Sequence, residues 1–245
     1  MAGVLLFQGM TAGFLPGDFT LSIGEDGAPH GEFALSTAYN VVPLWLRIAK
    51  DNLALAKAAS TILAEQWDED DEKRKNLLIA ELAPSMQVCV TCGIALDALY
   101  DTLRPHANFS AEEIASWRKH RTGRGRQIAT VISRVFRLDN YHSQEFTRGI
   151  QQVTKLRDLA AHPSLALKRA CARPDIEVGV DWKFATYTYA HARVNYLSTA
   201  TMLAHLCQRQ GVVSQVGEAM SNILRALKEL GVVEPAQNIE KQPDS

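Results

Sequence analysis

From residue 36 onward, apolar residues recur at three- and four-residue steps, and that spacing restricts the fold of this chain more than any other feature. Val42, Trp45, Ile48, Ala49, Leu53, Ala56, Ala59, Ile62 and Leu63 share one side of an ideal helix, so a helix is predicted from an N-cap at Ser36 to about Trp67. A second is expected over roughly 71–104, interrupted before Pro84, because the residue preceding a proline avoids the α region. Ser110-Ala111-Glu112-Glu113 reads as a capping box opening a short helix to about Lys119, which Gly123 and Gly125 break. Further helices are expected at about 126–137, 143–162, 183–209 and 213–230. Helices of these lengths with short connections predict a mainly α fold, an antiparallel helical bundle.

The first 35 residues read differently. Short apolar runs, Val4 to Phe7, Phe19 to Ile23 and Glu32 to Leu35, are separated by turn formers that include Glu25-Asp26-Gly27-Ala28-Pro29. That pattern predicts a small N-terminal β-hairpin or arm. The organisation expected is therefore an arm over 1–35, a helical bundle over 36–210, an amphipathic helix within 211–233 and a mobile tail over 234–245. Val216, Met220, Ile223, Leu224, Leu227 and Leu230 form the stripe of that last helix, which docks either on the bundle or on a second subunit.

With 245 residues, 47% hydrophobic and 22% charged, the chain is long enough to bury a core and falls outside the disordered, collagen-like and disulfide-scaffold classes. The apolar core of the N-terminal stretch is too short for an export signal or a membrane span, so a cytoplasmic location without a membrane partner is expected. Four cysteines in that setting predict free thiols. Cys89 and Cys92 have the spacing of a redox pair or half a zinc site, yet they lie in an apolar helical stretch with no second ligand pair. They read as two small buried thiols on one helix face, and no metal or other cofactor is expected. Asp68-Glu69-Asp70-Asp71-Glu72 lacks the glycine spacing of a calcium loop and reads as a solvated helix start facing the positive end of the macrodipole.

The net charge of −1 conceals opposed regions. Residues 1–110 carry 7 basic and 14 acidic side chains, residues 111–170 carry 12 and 5, and residues 171–245 carry 7 and 8. The middle third is a basic island of the kind that contacts polyanions. Within it, Trp117 to Arg126 places Arg118, Lys119, Arg121, Arg124 and Arg126 around two glycines. Arginine pairs bidentately with phosphate, glycine lets backbone amides approach it, and Trp117 offers a stacking surface. These five residues are the candidate RNA-binding set, and a solvated turn between helices is the other reading of the same segment.

Leu156-Arg157-Asp158-Leu159-Ala160-Ala161-His162-Pro163 is the most informative stretch. Asp158 and His162 are four apart on one helix face, so the carboxylate is expected to hydrogen-bond the imidazole and hold its tautomer. Pro163 places His162 at a helix C-terminus, where the dipole favours the imidazolium. Arg157 lies about 140° around an ideal helix from His162, so the two converge only through distortion, the reach of the long side chain or a second subunit. A titratable acid/base, an orienting carboxylate and a fixed cation suffice for phosphoryl chemistry without a metal. Arg137 and His142 repeat the spacing, but Leu138 follows the arginine and no proline follows the histidine. The remaining reading of the stretch is a surface arginine beside a helix-ending Asp158–His162 hydrogen bond.

Arginine, a polar residue, three further residues and histidine, at the end of a long helix between two apolar helices, resembles the signature of the HEPN superfamily of helical nucleotide- and RNA-binding domains, over roughly 36–210. The resemblance implies a catalytic set of Arg157, Asp158 and His162 and a metal-independent endoribonuclease in which a 2′-hydroxyl attacks the adjacent phosphate. It also implies a homodimer completing the site, and a role as a toxin or defence effector with a protein partner or antitoxin. Pro163-Ser164 departs from the His-x-Tyr ending of toxins whose tyrosine is modified, which argues against that subtype. Many members only bind, so the alternative it implies is a non-catalytic module for nucleotide, RNA or a protein partner. The aromatic-rich segment with Phe184, Tyr187, Tyr189, His191 and Tyr196 is expected to be mostly core, with Tyr187 or His191 as the residues that would line a cleft.

Overall fold

The computed structural model describes residues 4–67, 70–162, 167–210 and 212–233. It divides into two compact units, Met1–Val41 and Val42–Ser245.

In the first unit, β1 (Met10–Gly13) pairs antiparallel with β4 (Ser36–Tyr39), and β2 (Phe19–Ile23) pairs antiparallel with β3 (Pro29–Phe33). The inner turn falls on the predicted Glu25 to Pro29 segment. Gly27 takes φ 75°, which favours glycine, and Asp26 accepts a 3.0 Å hydrogen bond from the Ala28 amide. Ser36 therefore does not cap a helix. It lies in a strand, and its hydroxyl donates to Asp18 Oδ2 at 2.8 Å, while the same carboxylate oxygen accepts the Leu15 amide at 2.7 Å.

The second unit is the helical bundle, joined by short connections. Its first helix, α1 (Val42–Gln66), starts with Pro43 in its first turn, where a missing N–H costs nothing. Val42, Leu46, Ala49, Ala56 and Leu63 form its buried stripe. Against it packs α2 (Asp71–Leu103), the central helix, which also contacts the later helices of the unit. Asp70 caps α2 by accepting the Lys73 amide at 2.8 Å, with Asp71 and Glu72 in the first turn; Asp68 and Glu69 lie outside the described residues. The expected break at Pro84 does not occur. Buried positions continue in phase from Glu81 and Ser85 to Val88 and Cys89, so packing carries the helix through the proline despite the lost hydrogen bond. By length and composition α2 could cross a membrane, but it is the core helix of this bundle.

A 3-10 turn (Arg104–His106) leads to α3 (Ala111–Lys119), where Ser110 and Glu113 form the predicted capping box. Next come α4 (Arg124–Val135), with Gly123 as N-cap, and α5 (Asn140–Ala161), which begins earlier than expected because the Asp139 carboxylate accepts the His142 amide at 2.9 Å. The chain then forms a hairpin that periodicity did not announce, β5 (Cys171–Arg173) with β6 (Val178–Val180). Arg173, almost fully buried, meets Glu81 of α2 at 2.8 Å and Asp175 at 2.6 Å, which pins the hairpin to the bundle. The single helix expected at 183–209 is two, α6 (Trp182–Thr186) and α7 (Tyr189–Cys207). Tyr187 leaves the helix, buries itself and donates its hydroxyl to the Leu156 carbonyl at 2.9 Å; Thr188 then caps α7. Finally α8 (Ser214–Glu229) seats Val216, Met220, Ile223 and Leu227 in the main core, so its stripe docks on its own bundle. The predicted tail over 234–245 lies outside the described residues.

All four cysteines are free, and burial raises the Cys89 and Cys92 thiols to about 12, so neither forms thiolate at neutral pH.

Candidate functional site

Two glycines place the candidate site. Gly125, in the first turn of α4, is buried where that helix crosses α5; a Cβ there would collide with Thr154 Oγ1 and lie 3.2 Å from Gln151 Cα. Gly93, inside α2, faces α5, and a Cβ there would stand 2.7 Å from Arg157 Cβ and Cδ. The first lets the start of α4 sit against α5. The second lets the stem of Arg157 lie flat on α2 and carries its guanidinium one turn along, to Asp97.

Asp97 is the hub. Its Oδ2 accepts from Arg157 Nη1 and its Oδ1 from Arg124 Nε at 2.7 Å, so one carboxylate joins α4 and α5 to α2. Arg157 also places Nε and Nη2 on Asp158 Oδ1, at 2.9 and 2.7 Å. With its side chain only 15% exposed, Arg157 is an inward-facing cation between two carboxylates. Arg124 stacks its guanidinium 3.8 Å over the Tyr100 ring and approaches Asp101 at 3.5 Å.

In front of this network lies a groove of about 610 Å³ between the start of α4 and the last turns of α5. Arg124, Gly125 and Arg126 form one wall; Gln151, Thr154, Lys155, Asp158, Leu159 and His162 form the other. Gly123 caps α4 without a side-chain hydrogen bond, so by helical geometry the first amides of α4 have no intrahelical acceptor, and the positive end of its dipole opens there. His162 ends α5: its amide donates to the Asp158 carbonyl at 2.9 Å, and its φ of −125° and ψ of 65° leave the α region, as a residue before proline does. Pro163 and Ser164 lie outside the described residues.

The basic segment and the histidine motif thus meet in part. Arg124 and Arg126 share the groove with Asp158 and His162. Arg118 and Arg121 line an adjoining pocket, and Lys119 is exposed on α3. Arg157 stands behind the groove, toward α2. The expected hydrogen bond between the Asp158 carboxylate and the His162 ring is not formed: Arg157, one residue before Asp158, occupies Oδ1 with two N–H groups, and no described side chain hydrogen-bonds the imidazole. Tyr187 is core, while His191 lines a separate pocket of about 280 Å³ between α5 and α7.

Asp97, Tyr100, Asp101 and Lys155 escaped the sequence reading. The available signals were two carboxylates four apart in an otherwise apolar helix, and glycines inside helical patterns, which mark close backbone approach. Among the described residues, no group of three or more His, Cys, Asp or Glu side chains is placed to hold a metal ion.

Comparison with family models, with curated proteins and with solved structures finds no match to this chain.

Proposed function

We propose that this chain is a HEPN-like, metal-independent endoribonuclease whose site is the groove between α4 and α5. The observation that carries the reading is the meeting, in one groove, of an exposed histidine at a helix end with Arg124, Arg126 and Lys155. A phosphate there meets three cations and the amino-terminal amides of α4. The RNA 2′-oxygen attacks the adjacent phosphorus and the bond to the 5′-oxygen breaks, giving a 2′,3′-cyclic phosphate and a 5′-hydroxyl. His162 exchanges the proton with the attacking or leaving oxygen, and the surrounding cations stabilise the charge of the phosphorane. In this arrangement Arg157 acts by holding Asp158 and backing the groove with positive charge. A homodimer, a protein partner or antitoxin, and a toxin or defence role belong to the same reading and rest on the resemblance.

One observation favours the second reading, a non-catalytic module that binds RNA or nucleotide: Arg157 is engaged by Asp97 and Asp158 and faces away from the groove. Incubating single-stranded RNA with the wild type and with His162→Ala in the presence of chelator decides between the two. Catalysis predicts a rate loss of about 10²–10⁴-fold in His162→Ala with RNA affinity retained. A wild type that binds RNA and leaves it intact establishes the module instead.

A further inference from the structure

The pocket adjoining the groove is a second phosphate site, and this inference rests on the RNA reading above. About 450 Å³ in volume, it gathers four guanidinium groups from separate stretches of chain: Arg104 on the 3-10 turn, Arg118 at the end of α3, Arg121 in the following turn and Arg124 at the start of α4. Tyr100 and Trp117 line it as well, and no carboxylate does. Arg104, Arg118 and Arg121 form no ion pair with any described residue, whereas Arg124 is engaged by Asp97 and Asp101 at the margin. Four like charges converging without counter-charges repel one another, and an anion relieves that repulsion. Guanidinium forks beside aromatic rings suit a phosphate with its attached nucleoside. Arg124 borders both this pocket and the His162 groove, so the two cavities are neighbours sharing one wall.

We infer that the Arg104–Arg118–Arg121 pocket holds the phosphate of a flanking nucleotide of the same single strand whose neighbouring phosphate enters the His162 groove. Arg104 becomes part of an RNA track running over Arg124 toward α5, a role the basic segment at 117–126 did not suggest.

The test is fluorescence anisotropy with an eight-nucleotide 2′-O-methyl RNA, which binds without being cleaved. Arg104→Ala combined with Arg118→Ala is expected to weaken binding about tenfold, the loss of one charge-assisted phosphate contact. The slope of log affinity against log salt should flatten by about 0.7 for each lost contact. Lys57→Ala, an exposed basic residue on α1, controls for net charge and should leave both unchanged. Equal affinities and slopes for the double variant and Lys57→Ala overturn the inference. So does a free nucleoside diphosphate that binds the wild type as tightly as the octamer and is lost in the double variant, since the pocket would then serve free nucleotide. Failure of the ribonuclease reading shows separately, as octamer binding that depends on Arg104 and Arg118 while unmodified RNA remains uncleaved.

Discussion

Replacing Asp97 with asparagine tests the network behind the groove. The substitution keeps the shape of the side chain and removes the charge shared by Arg157 Nη1 and by Arg124 Nε at 2.7 Å. An exposed ion pair contributes about 0–1 kcal/mol, and removing one partner of a fully buried pair costs about 3–5 kcal/mol. The side chains here are 15% (Arg157), 25% (Asp97) and 34% (Arg124) exposed, between those limits, so a loss of about 2 kcal/mol is expected. In a protein of this size that lowers the melting temperature by about 4–8 °C. Circular dichroism melts measure it, with Asp101→Asn as the control: that carboxylate is 73% exposed and 3.5 Å from Arg124, and its removal should cost under about 0.5 kcal/mol. A double-mutant cycle of Asp97→Asn with Arg157→Met should give a coupling of about 1 kcal/mol or more. Equal destabilisation by Asp97→Asn and Asp101→Asn, or a cycle with no coupling, refutes the hub.

Gly125→Ala should destabilise the bundle by about 1–3 kcal/mol in urea titrations, because its methyl meets Thr154 and the α5 backbone, and Thr154→Ala should recover part of the loss. Glu81→Ala leaves Arg173 buried with Asp175 alone and removes the acceptor of the Tyr189 amide, so a loss of about 3 kcal/mol is expected in the same titration. The Glu113 carboxyl is lowered to about 2, chiefly by its hydrogen bonds from Arg134 and from the Ser110 amide. A depressed carboxyl contributes stability above its unfolded value near 4.5 that is lost as pH falls toward 2, so Glu113→Gln should flatten the acid limb of the stability profile in that window.

What the chain made legible follows from which interactions are local. Helices with a strong apolar stripe, such as α1 and α8, and ends capped within four residues, such as Ser110 with Glu113, can be read because both signals lie inside one window of sequence. Ser36 was misread because its partner, Asp18, is 18 residues away across the arm. The break at Tyr187 depends on the Leu156 carbonyl, and the β5–β6 hairpin on Glu81, neither of which lies in the same window. In the site, the motif placed His162 at a helix end and Asp158 one turn before it. Sequence did not reveal that Arg157 would turn to Asp97, 60 residues earlier, because that direction is set by the absence of a side chain at Gly93 on another helix. The shared groove of Arg124 and His162 likewise depends on Gly125 admitting α4 against α5.

The central claim, that the groove between α4 and α5 cleaves RNA through His162 without a metal, is tested most directly by resolving the products of a single-stranded RNA digested in excess chelator. The account predicts 2′,3′-cyclic phosphate and 5′-hydroxyl ends from the wild type, and their loss in His162→Ala. Cleavage that stops when divalent cations are removed, or cyclic ends that form equally well in His162→Ala, would contradict it.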